Sequence, residues 1–506
     1  MKTINEYLSL KEFESIIFEN EKIDISEAVL RRVKRSFNFL NEFSKNKVIY
    51  GVNTGFGPMA QYRIKEEDRL QLQYNLIRSH SSGTGKPLEP QLVKAAILAR
   101  LNTLSLGYSG VHPSLIHLMK ELINRDITPL IFEHGGVGAS GDLVQLAHLA
   151  LVLIGEGEVF YKGERKATST VFAIEGLEPV QVEIREGLAL MNGTSVMTGI
   201  GVVNVYKANK LADWSIKLSC AINEIVKAYD DHLSEELNHA KRHKGQREVA
   251  KRMRENLADS SLIRKREDHL YNGENTEDIF KEKVQEYYSL RCVPQILGPI
   301  LETINNTASI LEDEFNSAND NPIIDVENRH VYHGGNFHGD YIALEMDKLK
   351  IAVTKLTMLA ERQLNYLLNS KINEMLPPFV NLGTLGFNFG MQGVQFTATS
   401  TTAENQMLSN PMYIHSIPNN NDNQDIVSMG TNAAVITAKV IENAFEVLSI
   451  ELITIVQAID YLKQKEAVSS VTKKMYDDVR AIIPTFKEDQ VMYPYIQKVK
   501  NYLIEN

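Results

Sequence analysis

Apolar residues recur at helical spacing through the second half of the chain. Between Asp347 and Leu376, the residues Leu349, Ile351, Val353, Leu356, Leu359, Leu364, Leu367 and Leu368 stand among Lys, Glu and Arg at one-turn intervals, which predicts one long helix. Ala433 to Lys463 repeats the pattern over a wider arc through Ile436, Val440, Ile441, Phe445, Leu448, Leu452 and Ile455, and Pro294 to Glu314 reads as a third helix. Arcs this wide need partners on more than one side, so the segments predict a central helical bundle, one that subunits can share.

The first half is more mixed. Thr3 to Arg32 reads as short helices, Glu158 to Gly163 followed by Val180 to Glu183 as small strands with a connection between them, and Leu146 to Ile154 as an apolar helix. Two stretches are loop-like and polar: Asn316 to Gly335, and Ser416 to Asp425 with its run Pro418-Asn419-Asn420-Asn421-Asp422-Asn423-Gln424. Loops with convergent amides are good places for a ligand. No internal repeat or low-complexity linker is visible. The expected fold is mainly α, a smaller mixed N-terminal part over residues 1–200 and a long-helix bundle with C-terminal helices over 201–506.

Composition removes several classes of function. A chain of 506 residues, 43% hydrophobic and 23% charged, can bury a large core. The formal net charge of -10 argues against nucleic acid as a partner, because polyanions are repelled on average. The basic stretches at Lys241 to Lys244 and Arg264 to Arg266 are interspersed with acids and read as solvated faces. Only Cys220 and Cys292 are present, so no disulfide framework or CxxC pattern is expected. No signal segment or bilayer-length apolar run is apparent, which makes a cytoplasmic enzyme with no membrane partner the expectation. The histidines are scattered, and no HExxH, P-loop or GxGxxG calls for a metal or nucleotide.

The most informative stretch is Gly135-Gly136-Val137-Gly138-Ala139-Ser140-Gly141-Asp142-Leu143, with four glycines in seven residues ahead of an apolar helix. Ala-Ser-Gly alone is weak, since chance supplies it in roughly one chain in five of this size. A plain reading is a glycine-rich turn with Ser140 or Asp142 as N-cap. A chemical reading is available too. In a tight bend the Gly141 nitrogen can close on the Ala139 carbonyl carbon, and two dehydrations, the second at Ser140, leave a methylidene-imidazolone electrophile.

Gly138 to Leu143 resembles the cofactor-forming loop of the histidine, phenylalanine and tyrosine ammonia-lyase family. The resemblance runs through Tyr50 to Gly57, Asn75 to His80, Met191 to Thr194, Tyr288 to Cys292, Asn319 to Pro322 and Gly334 to His338 in the family's order. It implies the ammonia-lyase, fumarase/aspartase-like architecture and a homotetramer whose active sites draw on more than one subunit. It also implies a self-made cofactor, 4-methylidene-imidazol-5-one (MIO), from Ala139, Ser140 and Gly141, with no external cofactor. By the same resemblance Tyr50 is the base that removes the β-proton, Arg291 binds the substrate carboxylate, and Tyr288 is a cofactor-side hydroxyl or proton relay. Asn192 and Gln285 are amides holding ring and substrate, and Phe337 is a ring neighbour. An ordinary tyrosine titrates near 10, so Tyr50 is expected to be shifted down and activity to rise toward alkaline pH. Read without the resemblance, Tyr50 would be core or turn packing, Arg291 a salt bridge, and the amides structural.

Substrate markers pull two ways. Ser79-His80 resembles the pair of histidine-specific members. At the far loop, Gln424 stands where those members carry a glutamate, and with Asn420 it looks like the tyrosine type, because an amide cannot charge-pair with an imidazole. The chain also looks most similar to short bacterial tyrosine ammonia-lyases that keep Ser-His. Deamination of L-tyrosine to trans-p-coumarate and ammonia is therefore the leading expectation, with histidine ammonia-lyase (L-histidine to urocanate) or a tyrosine aminomutase as alternatives. A fumarase-type lyase would need a Gly-Ser-Ser-x-Met-Pro loop, which is absent, and a non-catalytic scaffold would leave the joined motifs unexplained.

Overall fold

The computed structural model describes residues 1–45, 47–271, 278–280 and 283–506. They form two compact units that interleave along the sequence. The first comprises Met1–Tyr206, Thr307–Asp347 and Pro411–Ala438, the second Lys207–Asn306, Lys348–Asn410 and Lys439–Asn506. The sequence reading had a single cut after residue 200. Four of the five boundaries instead fall within the long helices Ser195–Ile225, Val293–Phe315, Asp340–Leu368 and Gly430–Leu462, and the fifth, after Asn410, follows the helix Gln392–Leu408.

The helices of the second half follow the apolar pattern closely. Val293–Phe315 and Gly430–Leu462 extend the expected segments by only a few residues, and in the latter Val440, Ile441, Ala444, Phe445, Val447 and Leu448 are fully buried. The helix expected over Asp347 to Leu376 runs instead over Asp340–Leu368, followed by a short helix Ser370–Asn373. Asparagine chemistry ends it early. Asn369 caps the Lys371 N–H at 3.1 Å, while Asn373 Nδ2 donates to the carbonyls of Tyr366, Leu367 and Asn369 at 3.0, 3.1 and 2.9 Å and takes up helix-end acceptors.

Two expectations for the first half are corrected. The segment Thr3 to Arg32 contains strands Lys2–Ile4 and Ile23–Ile25, paired in parallel, around the helix Leu10–Phe18, which Ser9 and Glu12 start with a capping box. Val180 to Glu183 is not a strand. The partner of Glu158–Tyr161 is Glu164–Ala167, through a two-residue turn in which Lys162 and Gly163 both have positive φ (52° and 79°). That is the geometry of a tight hairpin, and Gly163 makes it accessible.

Candidate active site

The glycine-rich loop is gripped from both sides within the first unit. On one side, Met429 N donates to Val137 O at 3.0 Å, and Ser428 Oγ and Gly339 N donate to Gly138 O at 3.0 and 3.2 Å. On the other, Ser140 O accepts from Gly193 N at 3.3 Å and from Asn192 Nδ2 at 3.0 Å, while Asp142 N donates to Gly193 O at 2.8 Å. Gly141 has φ +72°, and a Cβ there would lie 1.9 Å from Gly193 O, so only glycine fits between these partners.

Asp142 anchors the loop, though not as the expected cap of its own helix, Leu143–Leu153, which receives no side-chain cap. Its buried carboxylate accepts from Val196 N at 2.8 Å and Met197 N at 2.9 Å, capping the helix Ser195–Ile225 through space, and also from the Thr431 hydroxyl. Burial pushes Asp142 up to about 6, against these hydrogen bonds and the Arg100 charge. Asp142→Ala should therefore lower stability by roughly 3 kcal/mol, the sum of a lost cap and orphaned buried donors, read by denaturant titration. A loss below about 1 kcal/mol would show that the anchor is dispensable.

Above the loop lies a cavity of about 360 Å³ lined by residues of the first unit. Tyr50 and Phe56 come from the segment before Gly57, His80 from the end of the helix Arg69–His80, Ser140 from the loop, and Asn192, Phe337 and the pair Asn420 and Gln424 from three further segments. Asn420, Asn421 and Asp422 all have positive φ, a conformation that Asn and Asp tolerate, and the bend returns Gln424 so that its Nε2 donates to Ser140 Oγ at 2.9 Å. The Tyr50 hydroxyl accepts from Gly57 N at 2.9 Å. Burial raises the Tyr50 phenol above its usual value and this one N–H opposes it, so the downward shift expected from sequence does not arise within the cavity of one chain. His80 Nδ1 lies 3.0 Å from both Leu76 O, which can only accept, and Ser79 Oγ, whose own proton goes to Leu76 O at 3.1 Å; with both neighbours as acceptors the ring carries its proton on Nδ1 and leaves Nε2 as acceptor, and burial lowers its pKa.

The family description "Aromatic amino acid lyase" matches residues 8–481. The chain belongs to that family. Curated relatives include the histidine ammonia-lyases of Geobacillus sp. (38% identical) and Bacillus cytotoxicus (37%), each aligned over 98% of this chain and 95% of its own. Solved structures with the same fold include the tyrosine aminomutase of Streptomyces globisporus (TM-score 0.95, 34% identical, 100% of this chain and 97% of that one). The phenylalanine aminomutase of Pantoea agglomerans also matches (TM-score 0.95, 33% identical, 99% and 98%). The mainly α ammonia-lyase architecture is thereby established. The relatives' names side with the histidine alternative more than with the tyrosine reading.

Members of the aromatic amino acid lyase family make their MIO cofactor from a loop of the chain, and in this member the loop is Ala139-Ser140-Gly141. The surroundings fit it: the bend at Gly141 is enforced, Ala139 is 4% exposed, and Asn192 has a buried Oδ1 with no hydrogen-bond partner among the described residues beside the Nδ2 that holds Ser140 O.

Not every expected residue is in the cavity of this family member. Ser79 is exposed and turns its hydroxyl to Leu76 O at 3.1 Å. Gln285, Tyr288 and Arg291 are not among the lining residues. They cluster on the second unit, where Arg291 donates to Gln285 Oε1 and its guanidinium lies 4.8 Å from the Tyr288 ring centre. Lining residues that sequence reasoning left unassigned include Leu76 and Asn321, each inside a block already matched to the family, and Leu188, which carries no local signal.

Proposed function

We propose that this family member deaminates L-tyrosine without oxidation, giving trans-p-coumarate and free ammonia. The observation that carries the tyrosine reading is the wall of the cavity. It offers the acceptor nitrogen of His80 and the amides of Asn420, Asn423 and Gln424, and among the described residues no carboxylate lines it. A phenol hydroxyl donating to His80 satisfies both groups, and a substrate without it leaves the histidine unpaired.

In this reading MIO supplies the electrophile that turns the substrate amine into a leaving group. Tyr50, its oxygen held by Gly57 N–H, takes the β-proton as phenolate, and Asn192 holds the ring through the Ser140 carbonyl oxygen. Among the described residues, no Lys or Arg lines the cavity to meet the substrate carboxylate. Arg291, with Gln285 and Tyr288, is proposed to enter from another subunit of a homotetramer, where its charge also lowers the Tyr50 phenol. Support for assembly comes from the second unit, which exposes Phe387, Phe389, Phe396 and Met407 at 60% or more. A cytoplasmic setting accords with two cysteines and with no described helix long and apolar enough to cross a membrane.

Two other readings have specific support: L-histidine to urocanate from the names of the curated relatives, and a tyrosine aminomutase from the solved structures. Incubating purified protein with L-tyrosine and L-histidine, following p-coumarate, urocanate and free ammonia, separates all three. Ammonia in equal amount to p-coumarate supports the proposal, urocanate overturns it in favour of histidine, and a β-amino acid without ammonia shows a mutase. Gln424→Glu should raise the histidine-to-tyrosine ratio of kcat/KM by about tenfold, the value of one charge-assisted hydrogen bond. An unchanged ratio would remove Gln424 from the specificity argument.

A further inference from the structure

Two sequence blocks that the substrate reading leaves largely unused, Met191 to Thr194 and Asn319 to Pro322, meet beside the loop. Asn319 Nδ2 donates to Thr194 Oγ1 at 2.9 Å, and its Oδ1 accepts from Arg100 Nη1 at 3.2 Å. Asp320 pairs with Arg185 at 2.9 Å and lies 3.9 Å from Arg100 Nη2, which also donates to Ala189 O. Arg100 and Arg185 are 1% and 0% exposed, and Asn319 and Asp320 2% each. Two buried guanidinium groups thus share one carboxylate. Such clusters are costly to desolvate, and apolar residues would serve packing at least as well.

What the cluster supports is the Asn192-Gly193 turn. A Cβ on Gly193 would lie 2.5 Å from Arg100 Nη1, so the backbone there rests on the guanidinium. The same Gly193 donates to Ser140 O and accepts from Asp142 N, on either side of Gly141.

We propose that Arg100, clamped by Asn319 and Asp320, is a positioning residue for closing Ala139-Ser140-Gly141 into its ring, acting through the Gly193 backbone. Closure forms a bond from Gly141 N to the Ala139 carbonyl carbon, and that carbonyl oxygen leaves as water with the amide hydrogens of Gly141 and Ser140. The Ser140 hydroxyl then leaves as a second water with the hydrogen on Ser140 Cα. No oxidant or reductant enters. Intramolecular attack depends steeply on placement, and a displacement on the order of 1 Å costs roughly a hundredfold in rate. The inference concerns the making of the ring and is independent of which amino acid is deaminated.

The test weighs the ring rather than the reaction. Full-length Arg100→Lys, Arg100→Gln and Asn319→Ala are purified, their fold checked by circular dichroism and light scattering, and the peptide carrying residues 139–141 is weighed at intervals after synthesis. Wild type should show the deficit of two waters; its absence there would sink ring formation itself. The expected result is a folded variant whose deficit appears at least about tenfold more slowly, so that the unmodified mass accumulates. A role in stability alone would shift the unfolding midpoint and leave that time course unchanged. Should the Arg100 variants fail to fold, Asn319→Ala decides, because it removes the clamp and keeps the charge. Folded variants that acquire the full deficit at the wild-type rate overturn the proposal.

Discussion

Replacing Tyr50 by Phe should lower turnover by about 10²–10⁴-fold while leaving the fold in place, the range for loss of a general base. The structural cost is small. The ring keeps its edge-on contact with Phe56, 6.1 Å between centres, and only the Gly57 N–H loses its acceptor. Gly57 is partly exposed, so water can replace that bond at about 1 kcal/mol or less. The pH dependence gives the sign. Burial raises the phenol, opposed by the Gly57 N–H and, in the proposed assembly, by the Arg291 charge; with an ordinary value near 10 the phenolate is still the minor form near neutrality, so kcat/KM should rise with pH into the alkaline range. In the Phe variant the residual rate should lose that rise. Turnover within tenfold of wild type, or an unchanged pH profile, would place the base elsewhere.

The fold was legible where one face of a helix carries the signal, and obscure where a polar side chain overrides it. Gly430–Leu462 could be placed almost to the residue because its buried arc is continuous, whereas Asp340–Leu368 ends early because asparagines, not apolar spacing, take its last carbonyls. Ser195–Ile225 escaped notice altogether. Its cap is Asp142, more than fifty residues away, and no local window contains that partner. The site shows the same division. Ala139, Ser140 and Gly141 stand in an unusual run that local reasoning can find, and the Asn-Asn-Asp bend before Gln424 is legible as turn chemistry. The Arg100 cluster is not, because its members come from segments nearly a hundred residues apart or more, and an arginine inside an apolar helix looks the same in sequence whether it pairs or snorkels.

That Gln285, Tyr288 and Arg291 are not among the residues lining the cavity leads to the second large effect. Arg291→Met should reduce kcat/KM by about 10² or more, because a substrate carboxylate would be left without its two-pronged partner, while Tyr50→Phe is crippled for a different reason. Neither chain alone should work. If a site takes Tyr50 from one subunit and Arg291 from another, co-expressing the two variants must recover activity, since random assembly gives roughly a quarter of sites both intact residues. If both residues serve the site of their own chain, each mixed site keeps one defect and recovery is nil. Separately purified variants mixed without dissociation supply the control, because exchange is needed for any gain. Recovery near a quarter of wild-type turnover would establish that a neighbouring chain supplies the cation for the carboxylate bound in the Tyr50 cavity. No recovery in a mixed oligomer verified by differential tagging would return Arg291 to a structural role and leave the carboxylate partner to be found within the first unit.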